Sequence, residues 1–191
     1  MAYFRGFKTE ANDVATQIRR ELKLGPFDPL DPRVLAEHLE VPVVDLSSLL
    51  ESTPSVKHLL VVEPEAFSAV TVFRGSERTI VHNDGHVLPR QSSNICHELG
   101  HALLLHPPTP PMDDKGCRIW NQDLEDEANW LGGILLVTEA ATIAIAKGKW
   151  TVTSAAWHFG VSPAMIRFRM NATAARMRVA RSQQFRRKPS S

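Results

Sequence analysis

His97-Glu98-Leu99-Gly100-His101 is the segment of this chain whose residue types and spacing could do chemistry. On a helix, two histidines four apart stand on one face, so both imidazoles can reach one metal ion. Glu98 points along an adjacent face, where its carboxylate can take a proton from a water on that metal. The surrounding helix is apolar, with Ile95, Leu99, Ala102, Leu103 and Leu104, and should be buried. Buried polar groups need partners, and a metal ion is one. Cys96 points about 100° away from His97 and reads as a core cysteine.

A catalytic zinc needs a third protein ligand and an open position. The three-histidine extension of the motif asks for a glycine where the chain has Leu104 and a histidine where it has Pro107, which excludes that class. His106 is half a turn out of phase with His97 at about 100° per residue and is expected to face elsewhere. A later carboxylate is the other source, and Asp123-Leu124-Glu125-Asp126-Glu127-Ala128-Asn129 offers candidates. Glu125 and Asn129 share a helix face, one as ligand and the other as an amide that orients a ligating histidine. Glu127 lies about 200° around the helix from Glu125, so the two cannot serve the same site; it is the second choice. Asp126 or Glu127 otherwise supplies the acidic charge favoured at a helix N-terminus.

These residues must be positioned by elements the rest of the chain encodes. Glu10 to Leu24 reads as an amphipathic helix with Val14, Ile18 and Leu22 on one face, ended by Gly25-Pro26. Asp31 as N-cap and Pro32 at the first position open a short second helix, with Val34, Leu35 and Leu39 apolar. Val41 to Leu46 is β-rich, and Ser47 to Ser55 reads as a loop or short helical turn. Leu59 to Val62, Ala69 to Phe73 and Thr79 to His82 are strand candidates, the last two joined by Arg74-Gly75-Ser76-Glu77 as a hairpin. Helices follow at Ser93 to Leu105, Asp123 to Val137, Thr138 to Lys147, Trp150 to Phe159 and Ser162 to Gln183. Between the first two, a Pro-, Asp- and Gly-rich loop, Pro107 to Arg118, could gate a cleft. Strands first and helices after predict an α+β fold.

Composition sets the bounds. With 191 residues, 43% hydrophobic and 23% charged, the chain can bury a sizeable core and is not disordered as a whole. The most apolar stretch, Leu131 to Ala146, is interrupted by Glu139 and falls short of the ~20 residues a membrane span needs. The N-terminus carries no apolar run fit for a signal peptide, and Cys96 and Cys117 are too few for a disulfide framework, so a cytoplasmic location is expected. The net charge is +1, but residues 160–191 carry eight bases and no acid, while the rest carry 14 bases and 21 acids. Such a basic end invites a polyanion-binding reading beside that of a solvated face.

The stretch Asn83 to Leu104, with Arg90-Gln91 and His97 to Leu104, resembles the ImmA/IrrE family of bacterial metallo-endopeptidases. So do Glu125-Asp126-Glu127-Ala128-Asn129 with Leu135-Leu136, and the helix-then-strand segment Asp31 to Leu46. The resemblance covers Asp31 to Ala146. It implies a zincin-like minimal peptidase fold, a small antiparallel or mixed sheet with an active-site helix pair, in a cytoplasmic protein holding one Zn2+. By position it makes His97, His101 and Glu125 the zinc ligands and Glu98 the general base, with Asn129 behind them. It further implies a regulatory endopeptidase whose partner is a helix-turn-helix repressor or antitoxin. The chain departs from the family pattern at Leu131-Gly132-Gly133, where an aromatic and two alanines are usual, and at Val137-Thr138, where Met-Pro is usual.

On this reading residues 1–150 form the peptidase domain and residues 151–191 a basic helical segment with a tail. An edge of Ala69 to Phe73 or Thr79 to His82 could pair with an extended substrate. His82, His86, Arg74 and Arg90 are candidates to stabilise an oxyanion, each with a competing structural role; Tyr3 is remote in sequence. The competing function lies in the C-terminal helices. Trp150 to Phe159, Gly160-Val161 and Ser162-Pro163 resemble a helix-turn-helix whose second helix bears Arg167, Arg169, Arg176, Arg178 and Arg181. That makes a DNA- or repressor-binding regulator with a non-catalytic metal site the alternative. Ala164, Met165, Phe168, Ala172, Ala175 and Val179 read as the buried face of that helix, and packing or partner docking is its expected use ahead of DNA contact. A pseudo-enzyme that binds without cutting is a third reading, disfavoured by the intact Glu98.

Overall fold

Helix α1 (Phe7–Glu21) buries Phe7, Ala11, Ala15, Ile18 and Arg19, the three-to-four spacing of an amphipathic helix. The computed structural model describes Tyr3, residues 5–108 and residues 121–187. α1 starts before Glu10 and stops before Gly25-Pro26, because Lys23 takes a positive φ of 57° and turns the chain. Arg19 is buried in the role of a clamp. It donates to the carbonyl of Leu135 at 3.0 Å, to that of Gly25 at 2.7 Å and to that of Asp28. Helix α2 (Pro32–His38) begins as its residues dictate, with Asp31 accepting from the Arg33 amide at 2.8 Å. Leu35 and Ala36 are buried there, whereas Val34 is exposed.

Strands β1 (Val43–Asp45), β2 (Ala69–Arg74) and β3 (Glu77–His82) form one sheet in the order β1-β3-β2. β1 runs parallel to β3, and β2 antiparallel, with Thr71 opposite Ile80 and Phe73 opposite Arg78. Gly75 turns the hairpin at φ 62°, where a Cβ would be strained. Leu59 to Val62 is not a strand. It lies in a single π-helical turn, His58–Val62, with Val61 and Val62 exposed. A short apolar run carries no periodicity to separate helix from strand, and no sheet edge among the described residues pairs with it.

Helix α3 (Leu88–Leu103) begins five residues before the expected Ser93, with Pro89 in the first turn where a missing N–H costs nothing. It ends two residues before the expected Leu105, which takes φ 55°. Helix α4 (Gln122–Leu136) is capped by the Asn121 side chain, and helix α5 (Glu139–Ala146) by Thr138, which accepts from the Ala141 amide at 3.0 Å. α3 and α4 are the central pair, and glycine sets their spacing. A Cβ on Gly100 would stand 2.8 Å from the Ala128 carbonyl oxygen, and one on Gly132 would stand 2.9 Å from that of Cys96. The Gly132 departure from the family pattern is thus a close helix approach.

Helix α6 (Val152–His158) leads to α7 (Pro163–Ala172), where Ser162 accepts from the Met165 amide at 3.1 Å. The single helix expected from Ser162 to Gln183 is two. Ala174 at φ 50° breaks it, the Thr173 hydroxyl donates back to the Arg169 carbonyl at 2.9 Å, and α8 (Ala175–Arg187) follows. The buried face is also turned from expectation. Ile166, Arg169 and Met170 are buried with Ala175 and Val179, while Ala164 and Phe168 are exposed. Arg169 therefore leaves the basic surface. Its Nε donates to the Val137 carbonyl at 3.1 Å just beyond α4. Arg178 bridges to Glu139 at 2.7 Å and ties α8 to α5.

The architecture is α+β, a small mixed sheet with a majority of helices. Among the described residues no single helix is long and apolar enough to cross a membrane. Most of the loop from Pro107 to Arg118, with Cys117, and Lys188 in the tail lie outside the described residues.

Candidate metal centre

α3 supplies His97, Glu98 and His101, and α4 supplies Glu125 and Asn129. His97 Nε2 lies 3.2 Å from Glu125 Oε2, His101 Nε2 lies 3.7 Å from Glu125 Oε1, and the two Nε2 atoms are 3.1 Å apart. One ligand atom from each of the three residues falls within 4.8 Å of the others, a set that could hold a metal ion. Glu125, from the first turn of α4, stands beside both histidines because the glycine contacts bring the helices close.

The outer hydrogen bonds show which nitrogen each ring offers. His97 Nδ1 lies 3.1 Å from Asn129 Oδ1, one turn along α4 from Glu125. With the amide oriented so, oxygen can only accept, and the ring proton sits on Nδ1. His101 Nδ1 lies 2.8 Å from His106 Nδ1, and His106 Nε2 lies 3.2 Å from Glu127 Oε2.

Both contacts correct the sequence reading. His106 does not face elsewhere; it is buried against His101. α3 does not continue to His106: the left-handed Leu105 folds the chain back. Glu127 stands outside the three-residue set that could hold a metal ion, and it is no mere N-terminal charge. It reaches the site through His106, although it does lie on a different face from Glu125. Asp126 is buried too and accepts from Gln122 at 2.8 Å.

Glu98 faces the sheet, where its Oε2 accepts from the Thr71 hydroxyl at 2.5 Å. Burial raises its pKa, and the Thr71 hydrogen bond and His97 oppose that without cancelling it. Burial pulls His97 down, but the Glu125 hydrogen bond and the charges of Glu98 and Glu125 leave it raised overall. Burial and the His97 charge lower His101 to about 4. Cys96 is fully buried and its thiol is pushed up by desolvation, so it is the inert core residue its position predicts.

A cleft of about 740 Å³ opens over these groups, lined by β2 from Ala69 to Phe73 on one side and by His97, Glu98, His101 and Glu125 on the other. Among the described residues β2 is an edge strand and β3 is central, so of the two candidate strands it is Ala69 to Phe73 that has an outer side. None of the proposed oxyanion residues lines the cleft. His82 is buried on Asp45 at 2.7 Å, His86 on the Pro64 carbonyl at 2.9 Å, and Arg90 pairs with Glu65. Tyr3 stacks on Phe7 with ring centroids 5.0 Å apart. Among the described arginines and lysines Arg78 lines it, over the Phe73 ring at 5.2 Å. Its signal was the hairpin register. A residue directly opposite Phe73 shares its sheet face, and alternation puts Phe73 on the face of Thr71.

Residues 57–171 match the IrrE N-terminal-like domain of the peptidase family M78. The match spans more than half of the chain, and the protein belongs to that family. Compared with curated proteins and with solved structures, the chain gives no match. Family membership supports a metallopeptidase-like function for the cleft.

Proposed function

We propose that this protein is a zinc-dependent endopeptidase with a zincin-like site, His97, His101 and Glu125 being the ligands and Glu98 the general base. The observation that carries the reading is the convergence of three acceptors. With the His97 ring proton on Nδ1, its Nε2 lone pair lies 3.1 Å from His101 Nε2 and beside the Glu125 carboxylate. Electron-rich atoms so close repel unless a cation or proton lies among them. Two imidazoles and one carboxylate with a fourth position facing a cleft is the donor set that suits catalytic zinc.

A divalent cation held there supplies Lewis-acid activation of water and of the scissile carbonyl. The chain's own residues do the rest. Glu98, with its raised pKa, accepts the water proton and returns it to the leaving amine. Thr71 holds that carboxylate in place. The outer edge of β2, unpaired among the described residues, offers backbone groups to an extended peptide, which aligns it along the cleft. Asn129 fixes the orientation of His97.

Following the family resemblance, the substrate is a helix-turn-helix repressor or antitoxin, and the role is regulatory. The test is mass-spectrometric mapping of cleavage in a peptide library by the zinc-loaded protein. Chelator-sensitive cleavage that disappears in Glu98→Gln is expected. No cleavage, or cleavage indifferent to both, would contradict the proposal.

A further inference from the structure

Glu127 and His106 have no part in the chemistry above, yet both are withdrawn from solvent: the His106 side chain is 6% exposed and that of Glu127 14%. Isolated polar groups at that burial cost stability, so their arrangement needs a reason. It lies in the direction of the hydrogen bonds. A carboxylate accepts only, so His106 Nε2 must donate to Glu127 at 3.2 Å. A neutral His106 then has a lone pair on Nδ1. At 2.8 Å from it, His101 Nδ1 must carry the proton. His101 is left with its lone pair on Nε2, the atom that faces His97 and Glu125.

We propose that Glu127 and His106 are positioning residues that fix the tautomer and ring orientation of His101, so that Nε2 is offered to the metal. The inference rests on the metal reading of the site. Each histidine ligand then has its own outer anchor: His97 uses a single amide, and His101 uses a histidine backed by a carboxylate. Asn129 and Glu127 come from α4, like Glu125, whereas His106 comes from beyond the end of α3. The turn at Leu105 is therefore part of the site, because it brings His106 back alongside His101.

Two measurements test this. Long-range 1H–15N correlation spectra of the metal-free protein report the tautomer of each histidine. His101 is expected with Nδ1 protonated, the less favoured form of free imidazole, and that preference should disappear in His106→Phe. Competition with a chromophoric chelator reports zinc affinity. His106→Phe is expected to weaken it 10–100-fold, and Glu127→Gln, which keeps shape but removes charge, by a smaller factor. Should His106→Phe not fold, Glu127→Gln carries both measurements. His101 protonated on Nε2 in the parent, or unchanged zinc affinity in both variants, would overturn the inference. A parent that binds no zinc would instead overturn the metal reading, while the tautomer spectrum still decides whether the relay exists.

Discussion

Gly132→Ala is expected to damage the metal site without touching a ligand. The added Cβ would meet the Cys96 carbonyl oxygen at 2.9 Å, its carbon at 3.0 Å and the His97 amide nitrogen at 3.2 Å. Comfortable carbon contacts lie near 3.5–4.0 Å, and all three atoms are backbone, so α3 and α4 must part by about 0.5 Å. Overpacking of this kind costs about 1–3 kcal/mol. The better helix propensity of alanine returns about 1 kcal/mol. The net loss is up to about 2 kcal/mol, which for a chain of this size lowers Tm by up to roughly 8 °C. The same displacement separates Glu125 and Asn129 from His97 and His101, and it exceeds the ~0.2 Å tolerance of a metal–ligand distance. Zinc affinity should fall together with Tm. Gly100→Ala, whose Cβ would stand 2.8 Å from the Ala128 carbonyl oxygen, should act in the same direction. The double variant should lose less than the sum, because one separation of the helices relieves both clashes. Thermal unfolding with chelator competition measures each quantity. A Gly132→Ala protein with unchanged or higher Tm and the parent's zinc affinity would refute the argument that glycine spacing sets the ligand geometry.

Other perturbations separate the remaining parts of the account. Thr71→Val removes the hydrogen bond that stabilises the Glu98 carboxylate, so the already raised pKa should rise further. A base works deprotonated, so activity is lost as pH falls through that pKa. The acid limb of the kcat/KM profile should move to higher pH in the variant, and an unmoved limb would exclude Glu98 as the base. Glu98→Gln should retain the parent's zinc content while peptide hydrolysis disappears; joint loss of both would make Glu98 a structural residue. Arg19→Met leaves the carbonyls of Leu135, Gly25 and Asp28 without their shared donor. It should cost on the order of 2–3 kcal/mol in denaturant unfolding, and a loss below about 0.5 kcal/mol, the range of an ordinary surface substitution, would deny the clamp its role.

The elements legible in the sequence were those with local, redundant signals. Asp31 and Pro32 cap and open α2, Gly75 turns the hairpin, and Ser162 with Pro163 opens α7, each by chemistry confined to a few residues. The shared face of Glu125 and Asn129 followed from helical periodicity, and both stand beside His97. What was not legible depended on where a helix stops. His106 was misplaced because a left-handed residue at Leu105, unmarked by glycine or asparagine, reverses the chain. Ala174 breaks the last helix in the same unmarked way. Arg169 read as surface charge because its type is nearly always exposed; only the tertiary fold supplies the Val137 carbonyl that lets it be buried. Leu59 to Val62 has strand composition without a partner strand among the described residues, and pairing is a property of the sheet rather than of the segment.

The central claim is that His97, His101 and Glu125 together hold one metal ion. Elemental mass spectrometry of the purified, zinc-reconstituted protein beside Glu125→Ala tests it most directly. The account predicts about one zinc per chain in the parent and its loss in the variant. A parent without metal, or a variant that keeps the full complement, would contradict it.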